Sequence, residues 1–415
     1  MKILSLQKKP DRSLHGKLTT FLLATLVALS ACSGNNNTSS TPIPLPNGQA
    51  GSLITSNGNL ADCFATTTTS GLSLCTTTSS TAAGTNGGVT ALNTFVSASS
   101  APGIVVGTSN GVVSVVNSVY SSPAPVVSCT NTLSSAISAV AVAGTNIFAA
   151  VGNTLYEFSG GTSSSSCSSS PSSTPIGSGP ITGLGVDTTS GTLFGVTNAG
   201  SYFSIASAST VTNLSTSSIK LTPLPNYPIS LPTDIKGMAI DPNGLVFFAD
   251  SSSNTPNNGG QITIYHVSST GTTLSSNNVQ SYSGNNNGVA MSNPIGIAVS
   301  ETNVTNPNYC STAPCDYIYL LSIGNSIQQY VMPVPSPING GVSINPFNLP
   351  YTGCEMTDPA AISSFPSLTS SPFSSQSPNG PFVFLGNKSL SSLGPCGGTT
   401  TYGNNVVSYG ITGQP

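Results

Sequence analysis

Short apolar runs separated by turn residues recur along most of the chain. The clearest copy covers residues 235–267, IKGMAIDPNGLVFFADSSSNTPNNGGQITIYHV. Its three apolar runs are too short for helices and rich in β-branched and aromatic residues, as expected for strands. Residues 241–244 separate the first two runs with turn chemistry, because Pro242 presets φ and Gly244 accepts a positive φ. This copy therefore predicts three successive antiparallel strands.

The same three-strand unit recurs, giving six copies. In most copies the third strand has an aromatic-x-apolar core, as in Tyr156 to Phe158 and Tyr265 to Val267. Repeats of ~40–50 residues with three or four strands are typical of propeller blades, whose sheets bury their faces against one another. We predict an all-β fold, a β-propeller of six blades, with seven as the alternative if residues 51–80 contribute more strands. The predicted first strands begin at Val89, Ile137, Ile181, Ile235, Pro294 and Pro359.

The sixth copy reaches only its third predicted strand. An N-terminal segment is therefore predicted to supply the missing outer strand, and residues 71–78 are the best candidate. Such a closing strand would fasten the first blade to the last.

The sequence IDPNGLVFFADSSS…GQITIYHVSSTGTTL, which begins at Ile240, resembles a blade of the lactonase-type β-propellers and, less closely, an NHL repeat. The likeness is clearest over residues 181–332. The resemblance implies acids and amides that converge at one end of the central channel, where hard oxygen ligands suit calcium. The alternative is that the acids at first-strand ends hydrogen-bond the backbone of the following turn. The candidate ligands are Asp250, Asn387, Asp241 and Asp187.

Residues 1–31 are predicted to be a lipoprotein signal peptide, to be left out of the fold. Basic residues precede an apolar stretch at 18–28 that is too short to span a bilayer as a stable helix. The sequence LSAC, ending at Cys32, resembles the bacterial lipobox, which implies that Cys32 carries acyl chains that hold the protein to a membrane. The alternative is secretory cleavage near Ala31. Ser33 replaces the Asp that resembles an inner-membrane retention signal, so the outer membrane is favoured.

Two further segments follow the signal peptide. Residues 32–51 are rich in Gly, Asn, Ser, Thr and Pro and carry no charge, so they are predicted to be a flexible tether. Residues 52–415 are predicted to be a single propeller domain, because the repeat argues against several separate globular units.

Ionisable side chains are scarce. Charged residues make up 5% of the chain, against about 25% in ordinary soluble domains. Five of the eight Lys and Arg residues precede Cys32, so three lysines and ten acids remain and the net charge after the leader is −7. This composition excludes nucleic-acid binding, because no basic cluster can neutralise phosphates. Ser, Thr and Asn provide most of the surface polarity, and recognition is predicted to be hydrogen-bonded and nearly insensitive to salt.

Eight cysteines follow Cys32, an even number that predicts a disulfide framework in an exported chain. Zinc is the alternative, but no spacing is CxxC and a single His follows the leader. Proximity along the chain favours the pairs Cys63–Cys75, Cys129–Cys167, Cys310–Cys315 and Cys354–Cys396.

His266 is the one candidate base for nucleophile–His–acid catalysis after the leader. It lies in a third strand, and Glu157 takes the same place in another copy. A binding role for His266 or Glu157 stands beside the alternative that each is a tolerated variant on a blade face. The other copies have Ser114, Ser204, Val331 and Gly410 at this position.

Together these observations predict a lipid-anchored propeller of the bacterial cell envelope that binds or scaffolds an envelope protein or glycan without catalysis. The motivation is the scarcity of ionisable groups on a large, polar, uncharged surface. One alternative, implied by the resemblance, is a metal-dependent lactonase-like hydrolase. The other is a structural or adhesive surface protein.

Overall fold

A computed structural model of the chain shows an almost all-β fold with sheets ringed around an axis, which confirms the propeller class. The structure describes residues 53–54, 62–67, 71–74, most of 87–334, and 345–346, 358–365, 382–388 and 405–411. The gaps within 87–334 are 98–101, 118–125, 130, 163–166, 168–169, 178, 217–218, 226–233, 252–258, 283–284, 287–288, 292, 304–309, 313 and 324–325. The predicted signal peptide, the tether and Cys32 lie outside the described residues.

The described residues form strands and one short 3-10 turn, Ala208–Thr210. No helix in this part of the chain has the length and hydropathy needed to cross a membrane. In chain order the strands are β1 Leu53–Ile54, β2 Asp62–Thr67, β3 Gly71–Leu74, β4 Val89–Val96, β5 Pro102–Thr108, β6 Val113–Val116, β7 Val126–Ser128, β8 Ala139–Ala143, β9 Asn146–Val151, β10 Thr154–Phe158, β11 Ser172–Pro175, β12 Ile181–Asp187, β13 Thr192–Thr197, β14 Ser201–Ile205, β15 Lys220–Pro223, β16 Ile235–Ile240, β17 Leu245–Asp250, β18 Gln261–Val267, β19 Leu274–Tyr282, β20 Asn285–Asn286, β21 Val289–Ala290, β22 Pro294–Thr302, β23 Cys315–Ser322, β24 Ser326–Pro333, β25 Asn345–Pro346, β26 Pro359–Ser364, β27 Phe382–Asn387 and β28 Asn405–Ile411.

Five sheets have the four antiparallel strands of a regular blade. We number them in chain order: blade 1 is β4–β7, blade 2 β8–β11, blade 3 β12–β15, blade 4 β16–β19 and blade 5 β22–β25. The described residues thus contain five regular blades, against the six predicted. The remaining place in the ring is filled by a six-stranded composite sheet of order β26-β27-β28-β2-β3, in which β1 also pairs with β28. Its strands come from both ends of the chain, which is why it departs from the four-stranded pattern.

The N-terminal segment closes the ring, but the strand beside β28 is not the one predicted. β2 pairs directly with β28, with Asp62 opposite Ser408. β3 lies outside β2, with Phe64 opposite Leu74. The prediction of residues 71–78 as the closing strand is therefore wrong, because β2 lies between β28 and β3 in the sheet.

Five of the six predicted first-strand starts coincide with the observed ones, at β4, β12, β16, β22 and β26. In the other copy β8 begins at Ala139 rather than at Ile137. The reason is that the Ile137 N–H donates to the Thr108 carbonyl of blade 1 at 3.1 Å, so this residue bonds to the neighbouring blade. The other five first strands have a bulge after their first residue, as between Ile235 and Gly237.

The first strands pack side by side in a closed ring, in the order β4, β8, β12, β16, β22, β26 and back to β4. Each hydrophobic cluster of the described residues draws on two neighbouring sheets, so no blade has a core of its own. Small residues allow neighbouring first strands to approach one another closely. A Cβ on Gly183 of β12 would lie 2.7 Å from the Met238 Cβ of β16.

Every blade has two ends. We call the end where the first strands begin, as at Ile235, the leading end. We call the end where the first strand turns into the second, as at Asp241, the hairpin end.

Candidate functional site

The four predicted calcium ligands are divided between the two ends of the blades. In blade 4, Ile235 lies opposite Asp250 and Ile240 lies opposite Val246, so Asp250 is at the leading end and Asp241 at the hairpin end. Most of a strand separates them, about 17 Å at the rise of an extended chain. Asn387 lies at the leading end and Asp187 at the hairpin end of their own sheets. These four residues therefore do not form one calcium site, and the described residues contain no group of three or more acids, histidines or cysteines placed so that it could hold a metal ion.

The two residues at the leading end hold the start of their own first strand. Asp250 accepts hydrogen bonds from the Asp234 N–H at 3.2 Å and from the Gln261 side-chain amide at 2.8 Å. Asn387 Oδ1 accepts from the Asp358 N–H at 3.3 Å. Both side chains are fully buried. Each therefore ties the residue before the first strand to the end of the second.

An ion pair between Lys236 and Asp234 also lies at the leading end of blade 4. Lys236 lies at the bulge of β16, and its Nζ is 2.7 Å from Asp234 Oδ1. Burial acts to raise the pKa of Asp234, but hydrogen bonds from Lys236 and Ser251 and the lysine charge lower it overall. Because both partners are well exposed, we assign this ion pair a small effect on stability.

At the hairpin end, the acids cap their own turns, which is the alternative that the sequence left open. Asp187 Oδ1 accepts from the Thr189 N–H at 3.0 Å and Oδ2 from the Ser190 N–H at 3.2 Å. Asp241 Oδ1 accepts from the Leu245 N–H at 2.6 Å. Thr189 Oγ1 also donates to the Pro242 carbonyl at 3.1 Å, so the turns of blades 3 and 4 are joined.

Two acids of blade 5 that belong to no sequence motif lie beside Asp241. Glu301 of β22 and Asp316 of β23 are directly opposite in the register. The Asn243 side-chain amide donates to Asp241 Oδ2 at 3.2 Å and to Glu301 Oε2 at 2.7 Å. The Asp241 and Asp316 carboxyl groups lie within hydrogen-bonding reach of one another. We call Asp241, Glu301 and Asp316 the acid cluster; none is more than 8% exposed.

The electrostatics of the acid cluster are dominated by burial. Burial first, and then the negative charges of Asp241 and Glu301, raise the pKa of Asp316 well above its ordinary value. Burial also raises the pKa of Asp241 to about 6, although hydrogen bonds from Leu245, Asn243 and Asp316 act in the opposite direction. Neither oxygen of the Asp316 carboxyl has a donor among the described residues. The arrangement can thus hold a proton between two carboxyl groups, but it is too enclosed to receive a substrate.

Glu157 and His266 lie in different blades and do not form a catalytic pair. Glu157 is buried in β10, and its Oε2 accepts from Ser172 Oγ at 2.8 Å. Burial raises the pKa of Glu157, and hydrogen bonds from Ser172 and Ser159 partly offset this. His266 is half-buried in β18, with Nδ1 3.3 Å from the Val267 carbonyl.

Two of the four predicted disulfides are confirmed, Cys129–Cys167 and Cys310–Cys315. The first joins the residue after β7 of blade 1 to the connection between β10 and β11 of blade 2. The second joins Cys310, in the connection from β22 to β23, to Cys315, the first residue of β23 and the neighbour of Asp316. The pairs Cys63–Cys75 and Cys354–Cys396 lie outside the part of the chain whose side chains the structure describes.

No local sequence motif predicts the acid cluster. Glu301 and Asp316 are separated by a connection of unpredicted length, and Asp241 belongs to another blade. Only the observed strand register brings the three together.

Comparison with models of known protein families gives no match for this sequence. Comparison with curated proteins likewise finds no similar sequence. The structure therefore shows the β-propeller fold, and any function has to be argued from the residues themselves.

Proposed function

We propose that this chain is a lipid-anchored β-propeller of the bacterial cell envelope that binds or scaffolds a partner without catalysing a reaction. The observation that carries the proposal is that the buried acids serve as hydrogen-bond acceptors within their own blades. Asp187, Asp241 and Asp250 each accept hydrogen bonds from main-chain N–H groups of their own blade. A catalytic carboxylate has to reach the substrate, and none of these three is more than 3% exposed.

The binding surface is proposed to lie on the connections between strands. The connection from β26 to β27 contains residues 365–380, which are rich in Ser and Pro. Long connections on a propeller commonly carry its binding function. Because this segment is uncharged, recognition would rest on hydrogen bonds and would depend little on ionic strength.

Membrane attachment is proposed through acyl chains on Cys32, with the outer membrane as the destination. The support is the lipobox-like sequence LSAC and the Ser that follows it. The expected result is incorporation of labelled palmitate into the full-length chain and loss of the label in Cys32→Ser. Equal labelling of both forms contradicts the proposal.

Binding can be tested with purified envelope fractions and with glycans extracted from them. Residues 366–380 would be replaced by a Gly-Ser segment of equal length, with the same replacement of residues 226–233 as the matched control. We expect the first replacement to weaken binding at least about tenfold and the control to leave it within about twofold. Affinity should also be similar at about 50 mM and about 500 mM salt. Unchanged binding by the 366–380 variant, or strong salt dependence, would contradict the proposed surface.

The blade-like sequence around Ile240 favours one other candidate, a lactonase-like hydrolase that uses calcium. Asp250 is the acid to change, because it lies at the leading end with Gln261 beside it. Turnover of simple lactones that requires calcium and disappears in Asp250→Ala would favour the hydrolase. Absence of turnover in the folded wild-type chain supplied with calcium would favour the binding protein.

A further inference from the structure

Asp316 is fully buried, and both of its carboxyl oxygens lack a hydrogen-bond donor among the described residues. Its neighbours are the acids Asp241 and Glu301. The one ion pair found in the described residues, Lys236–Asp234, is at the other end of blade 4. An ionised Asp316 would therefore be a buried charge with neither a cation nor a donor, a costly arrangement.

The hydrogen bonds identify which carboxyl group donates. Asp241 Oδ1 already accepts from two main-chain N–H groups, of Leu245 at 2.6 Å and of Asn243 at 3.0 Å. Such bonds favour an ionised Asp241 over an ionised Asp316. Asp316 is thus the proton donor and Asp241 the acceptor, with one proton held between β23 of blade 5 and the β16–β17 turn of blade 4.

We propose that the Asp316–Asp241 carboxyl pair is a pH-sensitive clasp between blades 4 and 5, formed when Asp316 donates a hydrogen bond to Asp241 and released when both are ionised. Release would leave the negative charges of Asp241 and Asp316, together with Glu301, at one joint of the ring, the contact between blades 4 and 5. The joint would loosen as the pH rises, while the remainder of the propeller keeps its contacts.

Among the described residues, the groups that face the pair lie on the adjoining turns and strands. Asn243 and the Leu245 N–H face it from the β16–β17 turn, and Glu301 faces it from β22. The adjoining turn of blade 3 contributes Asp187, whose oxygens are bonded to their own turn. β26, the next first strand, has no ionisable residue.

The hairpin ends at four other joints are linked by bonds that do not titrate in the relevant range, so pH should act chiefly at the joint between blades 4 and 5. These bonds are Asn93 Oδ1 with the Val142 N–H at 3.2 Å, Asn146 Nδ2 with the Val211 carbonyl at 2.6 Å, Ser300 Oγ with the Phe365 carbonyl at 2.7 Å and Thr94 Oγ1 with the Ser364 carbonyl at 2.6 Å.

The direction of the effect follows from the raised pKa values. A carboxyl whose pKa is higher in the folded state stabilises the fold below the unfolded pKa, and the contribution is lost as the pH rises through the folded pKa. For Asp241 that window runs from 3.8 to about 6. A shift of about two units corresponds to about a hundredfold increase in the unfolding equilibrium constant across the window. Below that window both carboxyl groups are protonated, and above it Asp241 is the ionised acceptor of the Asp316 proton. The clasp is released at still higher pH, when Asp316 loses that proton, and the folded state then loses further stability.

The test is denaturant unfolding of the wild-type chain and two variants between about pH 4 and about pH 10. Asp316→Asn keeps the size of the side chain and an N–H donor at every pH, so the rise of the unfolding equilibrium constant above about pH 6 should be at least about tenfold smaller than in the wild type. Asp187→Asn is the matched control, a buried acid bonded within one turn, and should keep the wild-type slope. An Asp316→Asn profile as steep as that of the wild type above about pH 6 overturns the proposal.

A second measurement needs no substitution. Amide hydrogen exchange, corrected for its intrinsic pH dependence, reports the local opening of each first strand. Exchange in β16 and β22 should increase by about tenfold more than in β4 and β8 over the same pH range. An equal increase of amide exchange in all four strands would overturn the proposal.

Discussion

Glu301 of β22 and Asp316 of β23 lie directly opposite one another in an antiparallel pair, with both side chains buried. Like charges placed directly opposite across two strands destabilise a sheet. Burial and the charges of Asp241 and Glu301 raise the pKa of Asp316 well above its ordinary value, which favours the neutral form of Asp316 and weakens the repulsion. The three acids thus come together only because blades 4 and 5 pack against one another.

Glu301→Gln should stabilise the protein at neutral and higher pH. It removes the charge opposite Asp316 while keeping an oxygen that can accept from Asn243 Nδ2. We expect a gain of about 1 kcal/mol near pH 8 and a smaller gain near pH 4, because the protonated pair is less sensitive to that charge. Urea unfolding at the two pH values measures the gain in the free energy of unfolding at each. An equal gain at both would show that the charge is irrelevant to the pair.

Asp187→Ala should destabilise the fold by about 1 kcal/mol, because the N–H groups of Thr189 and Ser190 lose the acceptor that caps their turn. Asp187→Asn retains one side-chain oxygen and should recover part of the loss. In thermal unfolding, the melting temperature should fall in the order wild type, Asp187→Asn, Asp187→Ala. Equal stability of the two variants would mean that the turn bonds are unimportant.

Gly386→Ala should strain the joint that closes the ring between the composite sheet and blade 1. A Cβ at this position would lie 2.2 Å from Val89 Cγ1. Overpacking of this kind costs about 1–3 kcal/mol. Val89→Ala removes that methyl group, so the double variant should be less destabilised than the sum of the single changes by about 0.5 kcal/mol or more. Additive losses in urea unfolding would contradict the predicted clash.

The two disulfides should contribute unequally. They close segments with sequence separations of 38 and 5 residues. In the chain-entropy model, replacing Cys129 and Cys167 together by Ala should cost about 4 kcal/mol, and replacing Cys310 and Cys315 about 2 kcal/mol. Unfolding of the two paired variants measures both values. The reverse order would show that effects on the folded state outweigh loop closure.

The sequence predicted the strand pattern well because that pattern is local. Alternating apolar runs and turns such as residues 241–244 placed five of the six first strands at their observed starts. Ile137 was the exception, since its N–H bonds to Thr108 of the preceding blade and not to its own sheet. Proximity along the chain also sufficed for Cys129–Cys167 and Cys310–Cys315.

By itself the sequence determined an all-β propeller built from a repeated three-strand unit, with very few charges. Only the tertiary structure decided that β2 lies beside β28, that Asp241 and Asp250 occupy opposite ends of blade 4, and that Asp316 meets Asp241. The physical reason is the same in each case. Strand register and blade contact place side chains that are far apart in the chain, and no local spacing encodes those distances.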